Sequence, residues 1–259
     1  MADGTPSPRH ALLEVCVDTP AGVRAAGMNG ADRIELCQAL AVGGLTPSPG
    51  LMRLASACGL PVRAMIRPRE GDFCYTADEI GIMEFDIDQA AAHGLDGVVF
   101  CANHADGRLH HDVLHRLCGR ARGQRLSVAL HRGFDLTPDP LDALEMAIAL
   151  DVDTILTSGG AKTAREGMAG LAALMQAAKG RIEILAGSGI TGQDVAELHA
   201  RAGITAFHAS CSRPLPPGNT RAAALGYVTP AQRDTDPARV AKLRHILNSL
   251  TIGSAHVFR

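Results

Sequence analysis

Residues 12–37 read Leu12-Leu-Glu14-Val-Cys16-Val17, then a helical stretch closed by Asn29-Gly30, then Arg33-Ile-Glu35-Leu-Cys37. Two β-rich runs joined by a helix are the pattern of a parallel βαβ unit. Side chains alternate along a strand, so Glu14 shares a face with Cys16, and Glu35 with Cys37. Ile34 and Leu36 then face the helices. The repeated Glu-x-Cys pattern therefore places two polar pairs on one face at neighbouring strand ends.

Outward from this unit the alternation continues along the whole chain. Strands are expected at Leu12–Val17, Arg33–Cys37, Val62–Arg67, Gly97–Cys101, Arg125–His131, Thr154–Thr157, Arg181–Ala186 and Thr205–Ala209. Helical stretches fall between them, among them Thr76–His93, Asp139–Leu150, Thr163–Lys179 and Thr191–Arg201. Gly30, Gly59, Gly94, Gly180 and Gly203 close helices shortly before the next strand, where a left-handed residue is favoured. Eight successive βα units in 259 residues predict a single (β/α)8 TIM barrel. An open doubly wound sheet is the alternative, and the count of eight favours closure. Residues 1–10 are expected to be a disordered N-terminal extension and 11–259 the barrel domain. Its core spans about residues 11–212, and a Pro-rich loop with a closing helix, Ala238–Leu250, fills 213–259.

Composition sets the class. With 46% apolar residues the chain can bury a large core. A formal charge of −2 leaves no footprint for nucleic acid and no pull toward an anionic membrane. No apolar run reaches the ~18 residues of a membrane span, and the first ten residues lack an apolar signal core, so a cytoplasmic protein is expected. Seven cysteines without a C-x-x-C pair argue against a disulfide framework or a zinc ribbon. Cys58 and Cys118 fall in helical stretches and read as small buried hydrophobes.

If the barrel closes, Glu14, Glu35, Arg67, His131 and His208 converge at its mouth, the C-terminal strand face where this fold keeps its active sites. Arg69 and Asp72 follow in the third loop. Buried charges must be paired, so the plain alternative is that Glu14 or Glu35 neutralises Arg67. A second feature is the pair of glycine-rich loops, Ser158-Gly159-Gly160 and Gly187-Ser188-Gly189, with Ser210 beside them. Such loops can cradle an anion or phosphate through backbone N–H groups, and they can equally be tight turns. His110, His111 and His115 have metal-ligand spacing but no accompanying carboxylate motif, and read as a solvated helix face.

Together these segments resemble the CutC family. The matching stretches are Leu13-Glu14-Val-Cys16, Asn29 to Cys37, Gly43-Gly-Leu-Thr-Pro-Ser48 and Ile66-Arg67-Pro-Arg69-x-Gly71-Asp72-Phe-Cys74-Tyr75. His131-Arg132-x-Phe134-Asp135, Leu156-Thr-Ser-Gly159, Ala186-Gly-x-Gly189 and Phe207-His208-x-Ser210 complete the set in family order. Glu70, Gly133 and Cys211 depart from the common pattern. The resemblance implies a TIM barrel, a cytoplasmic location, self-association as a dimer and a copper-homeostasis role, with Cu(I) on Cys16 and Cys37. Soft Cu(I) suits thiolates, and neighbouring strands lie ~4.8 Å apart. The competing expectation is an enzyme acting on a small anionic metabolite. Glu14 or Glu35 would be the base and His131 the acid, with Arg67 and the glycine loops clamping the anion.

Overall fold

The computed structural model describes residues 11–215, 220–227 and 232–250. The expected N-terminal extension at 1–10 and parts of the Pro-rich loop lie outside the described residues. Eight parallel strands close in chain order. They are β1 (Leu12–Val17), β2 (Arg33–Leu36), β3 (Val62–Met65), β4 (Gly97–Phe100), β5 (Ser127–Leu130), β6 (Thr154–Thr157), β7 (Glu183–Ala186) and β8 (Ala206–Ala209). The seam pairs Leu12 with Ala206 and Glu14 with His208. Arg67 and His131, expected as final strand residues, stand just past β3 and β5. The Arg67 N–H donates to Thr46 Oγ1 at 3.0 Å, a loop partner rather than the neighbouring strand.

The crossover helices are α1 (Pro20–Met28), α2 (Pro49–Ala55), α3 (Ala77–Ala92), α4 (His111–Gly123), α5 (Pro140–Ala149), α6 (Met168–Ala178) and α7 (Gly192–Ala202). Their starts are fixed chemically: Thr19, Ser48, Thr76, Asp139 and Thr191 each accept a first-turn N–H on the side chain. The helix expected from Thr163 begins only at Met168, because the Ala164 N–H is tied to Ser188 O at 3.0 Å. Beyond the barrel lie a short helix α8 (Thr220–Ala224) and the closing helix α9 (Pro237–Asn248).

The described parts of the Pro-rich stretch form regular elements that its composition does not suggest. Strand β9 (Ser212–Pro214) pairs antiparallel with β10 (Arg233–Thr235). Thr19 Oγ1 donates to Asp234 Oδ1 at 2.8 Å and Arg239 Nη1 to Ser212 O at 2.6 Å, which fastens this ribbon to the rim.

Outward strand residues such as Leu13, Val15, Ile34, Leu36, Phe100, Val128, Ile184 and Phe207 are fully buried against the helices in the main core. Inside the barrel two small apolar groups remain, Cys37 with Met65, Val99 and Ala129, and Leu156 with Leu185 and Ala206. Everything else facing inward is mostly polar. Among the described residues no helix is long and apolar enough to cross a membrane.

Candidate functional site

The barrel interior is charged from its floor upward. Glu14 on β1 accepts Arg33 Nε at 2.5 Å, and Arg33 Nη2 donates to Glu183 Oε1 at 2.7 Å. Arg63 Nη1 donates to Thr154 Oγ1 at 3.0 Å and lies 3.9 Å from Glu14. Two arginines and two glutamates thus neutralise each other across four strands. Burial alone would raise the Glu14 carboxyl, but Arg33, His208 and Arg63 outweigh it and hold the group well below the usual carboxylate range.

Glu14 therefore neutralises Arg33, not Arg67. It also reaches the mouth: its Oε1 lies 2.8 Å from His208 Nδ1. Burial opposes charge on His208, yet Cys16, Glu35 and Glu14 together raise it well above an ordinary histidine. His208 Nε2 lies 3.7 Å from Glu35 Oε2. One donor atom each from Cys16, Glu35 and His208 lie within 4.8 Å of one another. This is the one such cluster of three or more metal-ligating side chains among the described residues.

Cys37 does not take the position its repeat with Cys16 suggests. Its thiol donates to Glu35 Oε2 at 3.6 Å and packs under Gly44, where a Cβ would stand 3.0 Å from the sulfur. Burial first, then Glu35 and Cys16, push this thiol well up. Cys16 lines the mouth cavity; Cys37 belongs to the apolar group beneath it.

That cavity measures about 590 Å³, and Cys16, Glu35, Arg67, His131 and His208 all contribute to its wall. Glu14 sits one step below. Arg67 is turned toward backbone: Nη1 donates to Val42 O (2.8 Å) and Gly44 O (3.0 Å), Nη2 to Gly71 O (3.0 Å). Its guanidinium lies 5.2 Å above the Phe73 ring. So it clamps the loops after β2 and β3 and leaves only Nε without a protein partner.

His131 Nδ1 accepts the Gly133 N–H at 3.0 Å, which puts the ring proton on Nε2. Burial, then Arg67, lower its pKa to about 3, so the ring stays neutral. Gly133 stands here because a Cβ would come 2.8 Å from Cys101 Cβ. The His131 Nε2 and Glu35 Oε1 atoms are buried with no protein partner, their residues 5% and 3% exposed. Burial, with Glu14 second among the groups that raise it, lifts the Glu35 carboxyl despite His208.

The candidate anion loops divide. The N–H groups of Ser158 and Gly160 donate to the Asp135 carboxylate at 3.1–3.2 Å, and Gly159 N–H to Thr157 Oγ1 at 2.9 Å. The Gly187 N–H bonds Thr157 O at 3.0 Å. Ser188, Gly189 and Ser210 instead line the cavity. His111 and His115 are exposed on α4.

Sequence reasoning missed Arg33, Arg63, Thr154, Glu183 and Asp135. The first two were in reach, since Arg33 lies two residues before Glu35, and Arg63 four before Arg67, on the same inward face.

A closed parallel barrel with a polar cavity at the C-terminal ends of its strands is a (β/α)8 barrel with the usual place for a site. Residues 11–213 match the CutC family, and the chain belongs to it. A family protein CutC of Sinorhizobium medicae is 51% identical over 239 residues, 92% of this chain and 97% of that protein. One of Caulobacter vibrioides is 47% identical over 246 residues, 94% of this chain and 100% of that protein. The solved structure of CutC from Streptococcus agalactiae, 30% identical, superposes with a TM-score of 0.73 over 77% of this chain and 98% of that one.

Proposed function

We propose that this barrel serves copper homeostasis by holding one Cu(I) ion at its mouth on Cys16 and His208, with Glu35 alongside. The Streptococcus agalactiae relative is named for a proposed role in copper homeostasis. The supporting observation is the Cys16–Glu35–His208 cluster, donor atoms within 4.8 Å, with Glu14 hydrogen-bonded to the far side of the imidazole. A carboxylate behind a ligating histidine is the usual device that orients it. Thiolate and imidazole suit Cu(I); a carboxylate is a harder donor and would contribute least. Cys37 would join only by giving up its bond to Glu35. Cu(I) bound under reducing conditions against a competing chelator tests this. Cys16→Ser should abolish binding, His208→Gln should weaken it, and Cys58→Ser should leave it unchanged. Stoichiometric binding that survives Cys16→Ser overturns the reading. The same proposal includes a cytoplasmic, dimeric protein, and sedimentation at the mass of a 27.0 kDa monomer would remove the dimer.

A second reading is favoured by a specific observation: the cavity is far larger than an ion needs and presents Glu35 Oε1 and His131 Nε2–H unpartnered. An acceptor and a donor left open on two residues of one cavity wall are what acid–base chemistry on a small anionic metabolite requires, Glu35 taking a proton and His131 donating to the reacting oxygen.

A further inference from the structure

Two glycine-rich loops border the mouth, and their backbone N–H groups have different fates. After β6 they already hold an anion, the carboxylate of Asp135. After β7 the N–H groups of Ser188, Gly189, Ile190 and Gly192 have no protein acceptor among the described residues. Gly189, Ile190 and Gly192 border a cleft of about 310 Å³ between that loop and the chain following β8, while Ser188 lines the mouth cavity. Helix α7 starts at Gly192; its capping box already uses the Asp194 carboxylate, which accepts the Thr191 N–H at 3.0 Å, and leaves the Gly192 N–H outside that box.

The cleft is also lined by Arg233 of β10 and by Arg239 and Lys242 of α9. Arg233 donates to Ser212 Oγ and O, and Arg239 to Ser212 O. Among the described residues the one carboxylate in ion-pair range of the three is Asp236, 3.9 Å from Arg239 Nε and shared with Arg213. Lys242 has neither a hydrogen bond nor an ion pair there. Three positive side chains gather at one cleft of a chain whose net charge is −2. Among the described residues only Arg239 of the three has a carboxylate in range, so the cleft carries net positive charge and attracts an anion. The cleft also runs into the mouth cavity: Gly189, Ile190 and Ser210 line both.

We propose that Arg233, Arg239, Lys242 and the open N–H groups after β7 bind the phosphate of a small phosphomonoester, whose polar body extends into the mouth toward His131 and Glu35. Its phosphate half stands alone; its body half rests on the acid–base reading. Neither involves a metal at Cys16. A dianion matches three cations and several N–H donors better than a lone carboxylate does.

The test is calorimetric titration of the full chain with inorganic phosphate and with ribose 5-phosphate. Both should bind and compete, the ester more tightly. Lys242→Ala and Arg239→Ala should each weaken both ligands by about tenfold, the effect of losing one charge-assisted hydrogen bond. Lys242 is exposed and unbonded, so its variant keeps the fold. His131→Phe should weaken only the ester, and Cys58→Ser, which lines neither cavity, should affect neither ligand. Absence of phosphate binding at millimolar concentration, or unchanged affinity in both cation variants, overturns the cleft. Phosphate binding with no preference for the ester overturns the extension into the mouth and leaves the acid–base reading to its own test.

Discussion

The floor and the mouth of this barrel are built from the same inward-facing strand positions, yet they treat charge in opposite ways. On the floor Glu14, Arg33, Arg63 and Glu183 neutralise one another with hydrogen bonds of 2.5–3.3 Å to each other, Thr154 and Ser127. In the mouth, a few ångströms above, Glu35 Oε1, His131 Nε2 and Arg67 Nε have no protein partner. Each unsatisfied buried polar group costs about 1–3 kcal/mol. Among the described residues the floor leaves no buried side-chain polar atom open and the mouth leaves three, so the two layers are built differently.

The sharpest way to break this contrast is on the floor. Arg33→Met would strand Glu14 and Glu183 as buried carboxylates short of positive charge, and about 3–5 kcal/mol of stability should be lost. Urea unfolding measures it, and a loss below about 1 kcal/mol would mean the floor is not what holds the barrel. In the mouth the expected effect is a pH dependence. An unfolded histidine takes a proton near pH 6.5, whereas His131 in the folded chain does so only at about 3. Between those values the folded state binds fewer protons. Its contribution is therefore complete above 6.5 and declines as pH falls, by up to ~1.4 kcal/mol per pH unit. The stability difference between the wild type and His131→Phe, followed from pH 7 to 4, should carry that slope, and parallel curves would refute it. The smallest effect belongs to Glu35→Gln, which keeps the shape and relieves a buried carboxyl. A change within about 1 kcal/mol, in the stabilising direction, is expected from thermal unfolding. Destabilisation as large as that of Arg33→Met would erase the distinction between the layers.

Much of this is legible in the sequence. Period-two alternation in Leu12–Val17 and Arg33–Cys37 put Glu14 and Glu35 inside, and eight such strands placed Arg67, His131 and His208 at the same end. Partner identity was not readable. Whether Glu14 meets Arg33 or Arg67 depends on the stagger of β1 against β2, where Glu14 lies opposite Arg33, and nothing local encodes that stagger. Cys16 and Cys37 look equivalent in sequence, but the loop carrying Gly44 closes over one and not the other. The β6 loop has the composition of an anion site and is one, except that its anion is Asp135, delivered from the loop after β5. Ribbon β9–β10 was missed because three-residue polar strands beside prolines show no periodicity at all.

The hydrogen bond between Glu14 and His208 joins residues 194 positions apart. Cys16 and Glu35 come from the first two strands and His208 from the last, so the mouth cannot exist on a partly made chain. The donor set is complete only where β8 lies beside β1. Any ligand that bridges these donors then acts as a keystone: it binds across the seam between the first and last strands and adds its binding free energy to the closed ring.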